Sequence, residues 1–294
     1  LYIWFAIKFA IMSGEASFCV SENLFKDAYI FFIFVAIGAI TSYIAIKGST
    51  VLARLGEIFI VFVILFLFIN VITVESETDI MGNLPLFDIS ANKLFSAFDK
   101  HYVWTGDFLP LIVFGLTDTK KKSKLLPWMI AGSIVMIFGH YIFLNALCRA
   151  GAAKIDNLIV ELGTFNVGNI LIGRTDALSF SVWNIMVIVS LSLTMLAATE
   201  ASSYFLKDRR IGTAIVNVVA ALFYIFGFKN VDKLYAFATG GIRYFMLFVQ
   251  VFVPIVIIAG YNYTKRKSKA TEKYGIDPSY MPDEKSSRTY GGSV

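Results

Sequence analysis

The chain alternates long apolar stretches with short polar ones. Six stretches of 17 to 24 residues contain no Lys, Arg, Asp or Glu. This is the length that a helix needs to cross a bilayer, and in lipid a helix satisfies every backbone N–H and C=O within its own segment. The six are Ala28–Ile46, Ile58–Val74, Leu125–Cys148, Ala177–Thr199, Ile211–Phe228 and Tyr244–Thr264. The pattern predicts an all-α, polytopic transmembrane helical bundle.

Two weaker segments raise the predicted number of spans to about eight. Phe95–Thr117 is apolar but is interrupted by charged residues, among them Asp107. Leu1–Met12 is apolar apart from Lys8 and is too short to cross a bilayer by itself. Because the chain begins with Leu inside an apolar run, we expect Leu1–Met12 to be the poorly anchored end of a truncated helix, in a fragment of a longer protein.

The C-terminal tail differs from the rest of the chain. Residues 265–294 are rich in Lys, Ser, Gly and Tyr and have no apolar period. Such composition is typical of disorder. We therefore predict a transmembrane domain over residues 1–264 and a disordered cytoplasmic tail over residues 265–294.

Charge indicates how the bundle is oriented. Only 16% of the residues are charged, whereas soluble domains have about a quarter. When the connections are taken alternately, thirteen basic residues fall on one side and eight on the other. The richer side, with Lys47, the Lys120–Lys124 run, Lys207 and Lys265, is predicted to be cytoplasmic. The net charge of +5 therefore reflects membrane topology, and we predict no nucleic-acid partner.

The sequence lacks the common signatures of enzymes. It contains no GxxxxGK[ST] loop, no GxGxxG turn after a strand and no Ser/His/Asp pattern. His101 and His140 are far apart, and no Cys/His spacing is typical of a metal site. We predict a protein that is not an enzyme and has no cofactor.

The candidate binding site is a predicted break in the middle of a span. Gly106 and Pro110 weaken a continuous helix, and Asp107 is a good N-cap for a second half-helix. Half-helix ends and freed carbonyls at this depth hold substrates in many secondary transporters. The predicted site comprises Trp104, Thr105, Gly106 and Asp107. In the alternative interpretation the span starts near Tyr102, and Asp107 is an interfacial cap.

Three other polar residues and one possible helix break fall within or near the spans. Glu200 lies near the cytoplasmic end of its helix, where it either closes a gate or marks the interface. Gly240-Gly241 forms a possible break, and Arg243 after it is close enough to the outer face to extend toward water. Asn184 is predicted to hydrogen-bond to another helix.

Three short motifs, taken in order, resemble one family. They are Gly48–Ile58 between two spans, Gly106-Asp107 followed by an apolar half-helix and Lys120-Lys121-Lys122, and Gly173-Arg174-Thr175-Asp176 before a helix with Trp183. Together they resemble the spore-germination permeases, the B subunits of nutrient germinant receptors, in the amino acid–polyamine–organocation transporter superfamily. The resemblance covers most of residues 1–264.

The resemblance implies ten spans in two inverted five-helix halves, with the substrate between the first and sixth. By this count the chain begins in span three, and Asp107 falls in span six, where the family more often has Glu. The implied ligand is a small nutrient such as an amino acid. The implied partners are the lipid bilayer, a companion membrane subunit of the germinant receptor and a lipoprotein, and the implied location is the spore inner membrane or the bacterial cytoplasmic membrane.

Two functional classes follow from the resemblance, and a third stands beside them. The chain is either a germinant-sensing permease subunit or a proton- or sodium-coupled transporter of amino acids or amines. Both use the same pocket, so its residues do not separate them. A purely structural membrane scaffold is the third class, and it would tolerate Asp107→Asn without loss of function.

Overall fold

The computed structural model describes residues 1–24, 29–74, 175–228 and 230–274, together with 90–92, 95–96, 109–110 and 134. Within these ranges every element of regular secondary structure is an α-helix. In chain order the helices are α1 (Tyr2–Leu24), α2 (Ile30–Lys47), α3 (Ser49–Val74), α4 (Thr175–Ser202), α5 (Arg209–Phe226), α6 (Val231–Thr239) and α7 (Ile242–Tyr274).

The first helix is longer than the predicted segment Leu1–Met12, and it corrects the prediction that this segment is too short to cross a bilayer and poorly anchored. Helix α1 has 23 residues, and its part Tyr2–Glu22 is long and apolar enough to span a membrane. Of the most apolar 18 residues of that span, 72% are buried, which is the highest share among the described spans. The predicted segment ended at Met12, but Ser13-Gly14-Glu15 continues the helix.

The polar residues of α1 are accommodated by packing. The Ser17 hydroxyl donates to the Ser13 carbonyl at 2.6 Å, so its polarity is satisfied within the helix. Gly14 allows a close approach, since a Cβ there would lie 2.8 Å from Cδ1 of Leu234 in α6. Small and polar residues at this point therefore mark a packed interior and not a loop.

A single residue separates α2 from α3. Gly48 has a φ of +94°, a conformation in which a side chain is strained. Its N–H donates to the carbonyls of Ile44 at 3.2 Å and Ala45 at 3.1 Å, which closes the last turn of α2. Helix α3 starts at once with Ser49, so the polar segment before Ile58 is helical.

Among the described helices, α4 contacts α1, α2, α3 and α5. Ring contacts give the helix directions. Phe18 near the end of α1 and Phe34 near the start of α2 both stack on Tyr224 near the end of α5, at 6.4 and 4.8 Å. Helices α1 and α5 therefore run in the same direction, and α2 runs in the opposite direction.

Four described helices are long and apolar enough to cross a membrane, and a bent pair raises the number to five. The pair is α6 with the first part of α7, which meet at a break and bend by 51°. This confirms the predicted break at Gly240-Gly241. Many large apolar side chains are exposed, as expected for a surface in contact with lipid; on α2 and α5 they include Phe32, Val35, Ile40, Tyr43, Val218, Leu222 and Ile225.

The chain divides into two compact units, Leu1–Leu247 and Phe248–Val294. In the second unit α7 continues as a helix to Tyr274, with Phe248 stacked on Phe252 at 5.0 Å and Pro254 inside the helix. Helix α7 thus includes residues 265–274, the first ten residues of the predicted tail. Residues 275–294 lie outside the described residues.

Candidate functional site

The predicted binding residues Trp104, Thr105, Gly106 and Asp107 lie outside the described residues. The described residues nearest to them are Leu109 and Pro110, which are helical and buried. The site therefore remains a prediction.

A cavity of about 550 Å³ opens among α1, α4 and α6. It is formed where α1 ends and α6 begins, beside the first half of α4. Its walls combine carboxylates, aromatic rings and small polar groups; the lining residues include Glu15, Phe18, Glu22, Trp183, Asp232 and Tyr235.

Charge and hydrogen bonding give this cavity its chemical character. Three of its residues, Glu15, Glu22 and Asp232, are carboxylic acids. The Tyr235 hydroxyl donates to Oε1 of Glu15 at 3.2 Å, which links α6 to α1 across the cavity wall. Negative charge beside aromatic rings favours a cation, through Coulomb attraction and through the electron-rich ring faces.

The first turn of α6 is fixed at the cavity by its cap. The side-chain oxygen of Asn230 accepts from the Lys233 N–H at 3.0 Å. Asp232 in that turn complements the positive end of the helix dipole. The sequence analysis did not single out this cluster, since its α1 and α6 members are separated by more than 200 residues and only the packing of α1 against α6 brings them together.

The opposite end of the bundle is basic. Lys47 ends α2, and Lys207, Arg209 and Arg210 lie between or at the ends of α4 and α5. An Arg209 Nη lies 2.7 Å from Oε1 of Glu200, and both side chains are partly exposed. The ion pair between Glu200 and Arg209 therefore joins the end of α4 to the start of α5. This contact favours the interpretation of Glu200 as an interfacial residue.

A polar cluster joins α1, α4 and α5 at this basic end. The Tyr2 hydroxyl donates to the Gly212 carbonyl at 2.6 Å, and the hydroxyl oxygens of Thr199 and Thr213 are 3.0 Å apart. A Cβ on Gly212 would collide with the Ser202 side chain. Small residues and interhelical hydrogen bonds of this kind hold membrane helices together.

A second polar contact joins α2 to α5. Nδ2 of Asn217 donates to the Ser42 hydroxyl at 2.7 Å and to the Thr213 carbonyl at 3.0 Å. Its Oδ1 approaches Gly38, where a Cβ would lie 2.9 Å away. Asn217 has the interhelical role that the sequence analysis predicted for Asn184, whereas Asn184 donates to Phe180 of its own helix at 2.8 Å.

Two basic residues within the bundle are placed beside aromatic rings. Lys8 in α1 is fully buried, and its Nζ lies 5.4 Å from the centre of the Trp4 ring. Arg243 follows the α6–α7 break and donates to the Tyr244 hydroxyl at 2.7 Å. A cation over a ring is stabilised electrostatically, more strongly where water is excluded.

These helices define a multi-pass integral membrane protein. A family model described as "Spore germination protein" matches residues 2–234, which is most of the chain. The chain therefore belongs to the spore germination permease family, as its motifs indicated. No curated protein and no solved structure matches the chain.

Proposed function

We propose that the protein is a permease-like, germinant-sensing subunit of a nutrient receptor in the spore inner membrane, and that it binds an amino acid. The observation that carries this proposal is the family match over residues 2–234. A coupled transporter of the same ligand class is the alternative function. Measurements of germination and of uptake separate the sensing subunit from the transporter.

The helix directions support an eight-span segment of the ten-span inverted-repeat architecture. Helices α1 and α5 run in one direction, and α2 runs in the other. Because the end of α4 packs against the start of α5, α4 runs opposite to α1. If α3 crosses the membrane, it runs in the direction of α1 and opposite to α4, so an even number of spans must lie between α3 and α4. The two apolar segments Phe95–Thr117 and Leu125–Cys148 would be these spans.

The contacts between helix pairs fit the same architecture. By the family count α1 and α2 are spans three and four, and α4 and α5 are spans eight and nine. Each member of the first pair contacts each member of the second. Corresponding spans of two inverted halves would pack in this way around a shared axis.

We place the ligand at the break that contains Trp104, Thr105, Gly106 and Asp107, in the membrane domain of residues 1–264. The cavity beside α1, α4 and α6 would be the outer access to it. Its acids Glu15, Glu22 and Asp232 would attract the ammonium group of an amino acid, and Trp183 would cover the cation. Companion partners in this function are a second membrane subunit and a lipoprotein.

Asp107→Asn in the intact receptor tests the proposal, with Asp118→Asn as a control that removes one carboxylate outside the predicted break. Germination of spores should require a higher amino acid concentration for Asp107→Asn at an unchanged protein level, and the control should behave as the parent. Uptake of labelled amino acid into vesicles is measured in parallel. Concentrative uptake driven by an ion gradient would favour the transporter, and full sensitivity of Asp107→Asn would refute the predicted site.

A further inference from the structure

Helix α7 is longer than the apolar stretch that it contains. The apolar residues end at Thr264, whereas the helix continues to Tyr274. Ten further helical residues extend about 15 Å along the axis. This extension, residues 265–274, is called the α7 extension below. Because it follows the apolar stretch without a break in the helix, we expect its first turn to lie at the level of the lipid headgroups.

The α7 extension is strongly basic. It contains five basic residues and one acidic residue, which are Lys265, Arg266, Lys267, Lys269, Lys273 and Glu272. Lys265, Lys269 and Lys273 are spaced four residues apart and therefore share one face of the helix, on which Arg266 and Glu272 also fall, so that basic residues outnumber acidic ones there by four to one. Lys267 is on the opposite face, since two residues correspond to a rotation of about 200°.

We propose that the face with Lys265, Lys269 and Lys273 binds the anionic phospholipid headgroups of the membrane surface from which α7 emerges. The charge bias of the connections predicts that this surface is the cytoplasmic one. Clusters of four to eight Lys or Arg residues beside a span are typical of segments that bind anionic lipid. Lysine suits this role because its flexible stem lets the ammonium group reach headgroups at different depths.

A lipid surface fits the α7 extension better than a protein partner does. Protein interfaces are anchored by buried apolar and aromatic side chains. In the α7 extension the apolar and aromatic residues are Ala270 and, at its last position, Tyr274. With five basic residues and one aromatic residue, the segment offers far more charge than apolar surface, which matches a fluid anionic surface.

The test uses the full chain in lipid vesicles without any other protein. Cys19 and Cys148 are replaced by Ser, and a fluorophore is attached to Ser268→Cys. Its quenching by lipids with a headgroup quencher is measured in phosphatidylcholine vesicles and in mixed phosphatidylcholine–phosphatidylglycerol vesicles. We expect stronger quenching with phosphatidylglycerol. The increase should disappear at high salt, since the screening length falls from about 10 Å at 0.1 M to about 3 Å at 1 M.

Two matched variants test the face. Lys269→Gln and Lys267→Gln remove the same charge, and Lys267 is the nearer to the span. We expect Lys269→Gln to lose more of the phosphatidylglycerol-dependent quenching than Lys267→Gln. Equal losses would refute the assigned face. Quenching that does not depend on phosphatidylglycerol would refute lipid binding and would leave a protein partner as the role of the basic residues.

Discussion

Ser202 at the end of α4 lies directly against Gly212 in the first part of α5, and no Cβ fits between them. The Gly212 carbonyl also accepts the Tyr2 hydroxyl of α1 at 2.6 Å. One glycine therefore sets the spacing of three helices: its missing side chain admits α4, and its backbone oxygen fixes the start of α1. This contact makes the basic end of the bundle a closely packed unit.

Gly212→Ala should lower stability. The added methyl group must displace the Ser202 side chain, and such overpacking costs about 1–3 kcal/mol. Thermal unfolding of the detergent-solubilised chain measures the change. Gly56→Ala in α3 is the matched control, because nothing lies within 4 Å of a Cβ there. It should be neutral or slightly stabilising, as Ala favours a helix over Gly. Equal melting temperatures for the two variants would contradict the close contact at Gly212.

The contact between Asn217 and Ser42 should show measurable coupling. Asn217→Ala, Ser42→Ala and the double variant form a cycle that isolates their 2.7 Å hydrogen bond from the other bonds of each residue. Interhelical hydrogen bonds in membranes couple by about 0.6 kcal/mol on average. Unfolding free energies in mild denaturant give the value. Strict additivity of the two single variants would exclude a direct bond.

Two exposed tyrosines test the orientation of the bundle. Tyr29 precedes α2 and is 78% exposed, and Tyr204 follows α4 and is 87% exposed. They mark opposite ends, and the charge bias puts Tyr204 in the cytoplasm. In a chain with both native cysteines replaced, Tyr29→Cys should react with an impermeant maleimide from outside, and Tyr204→Cys only after the membrane is opened. Labelling of both from the same side would refute the arrangement.

Tyr235→Phe tests the cavity. The change keeps the ring and removes the hydroxyl that donates to Glu15 at 3.2 Å. Without this donor the Glu15 carboxylate is no longer held at the cavity wall, so a higher amino acid concentration should be needed for half-maximal response. The net contribution of one hydrogen bond, about 1 kcal/mol, limits this increase to at most about fivefold. Spore germination or ligand-dependent thermal stabilisation gives the measurement. Tyr29→Phe at an exposed position is the control and should respond as the parent. An unchanged response of Tyr235→Phe would separate the cavity from ligand binding.

The apolar pattern determined the class of the protein and most of the helix positions. Ala28–Ile46, Ala177–Thr199 and Ile211–Phe228 agree with α2, α4 and α5 to within a few residues. The reason is physical: a stretch without charge that is long enough to cross lipid has almost no other structure available. The order of short motifs was sufficient for the family, which the match over residues 2–234 confirms.

The contacts of the polar residues inside the bundle were decided by the tertiary structure. Ser13-Gly14 lies beyond the predicted segment Leu1–Met12, but Gly14 packs against Leu234 and the helix continues. Glu15 and Tyr235 meet only because α1 packs against α6, and Asn217 rather than Asn184 bonds across helices. The hydropathy of a segment determines whether it enters the bilayer, because insertion depends only on the transfer of its own residues from water to lipid. Which polar side chain finds a partner depends on the neighbouring helix, and packing between segments distant in sequence fixes that neighbour.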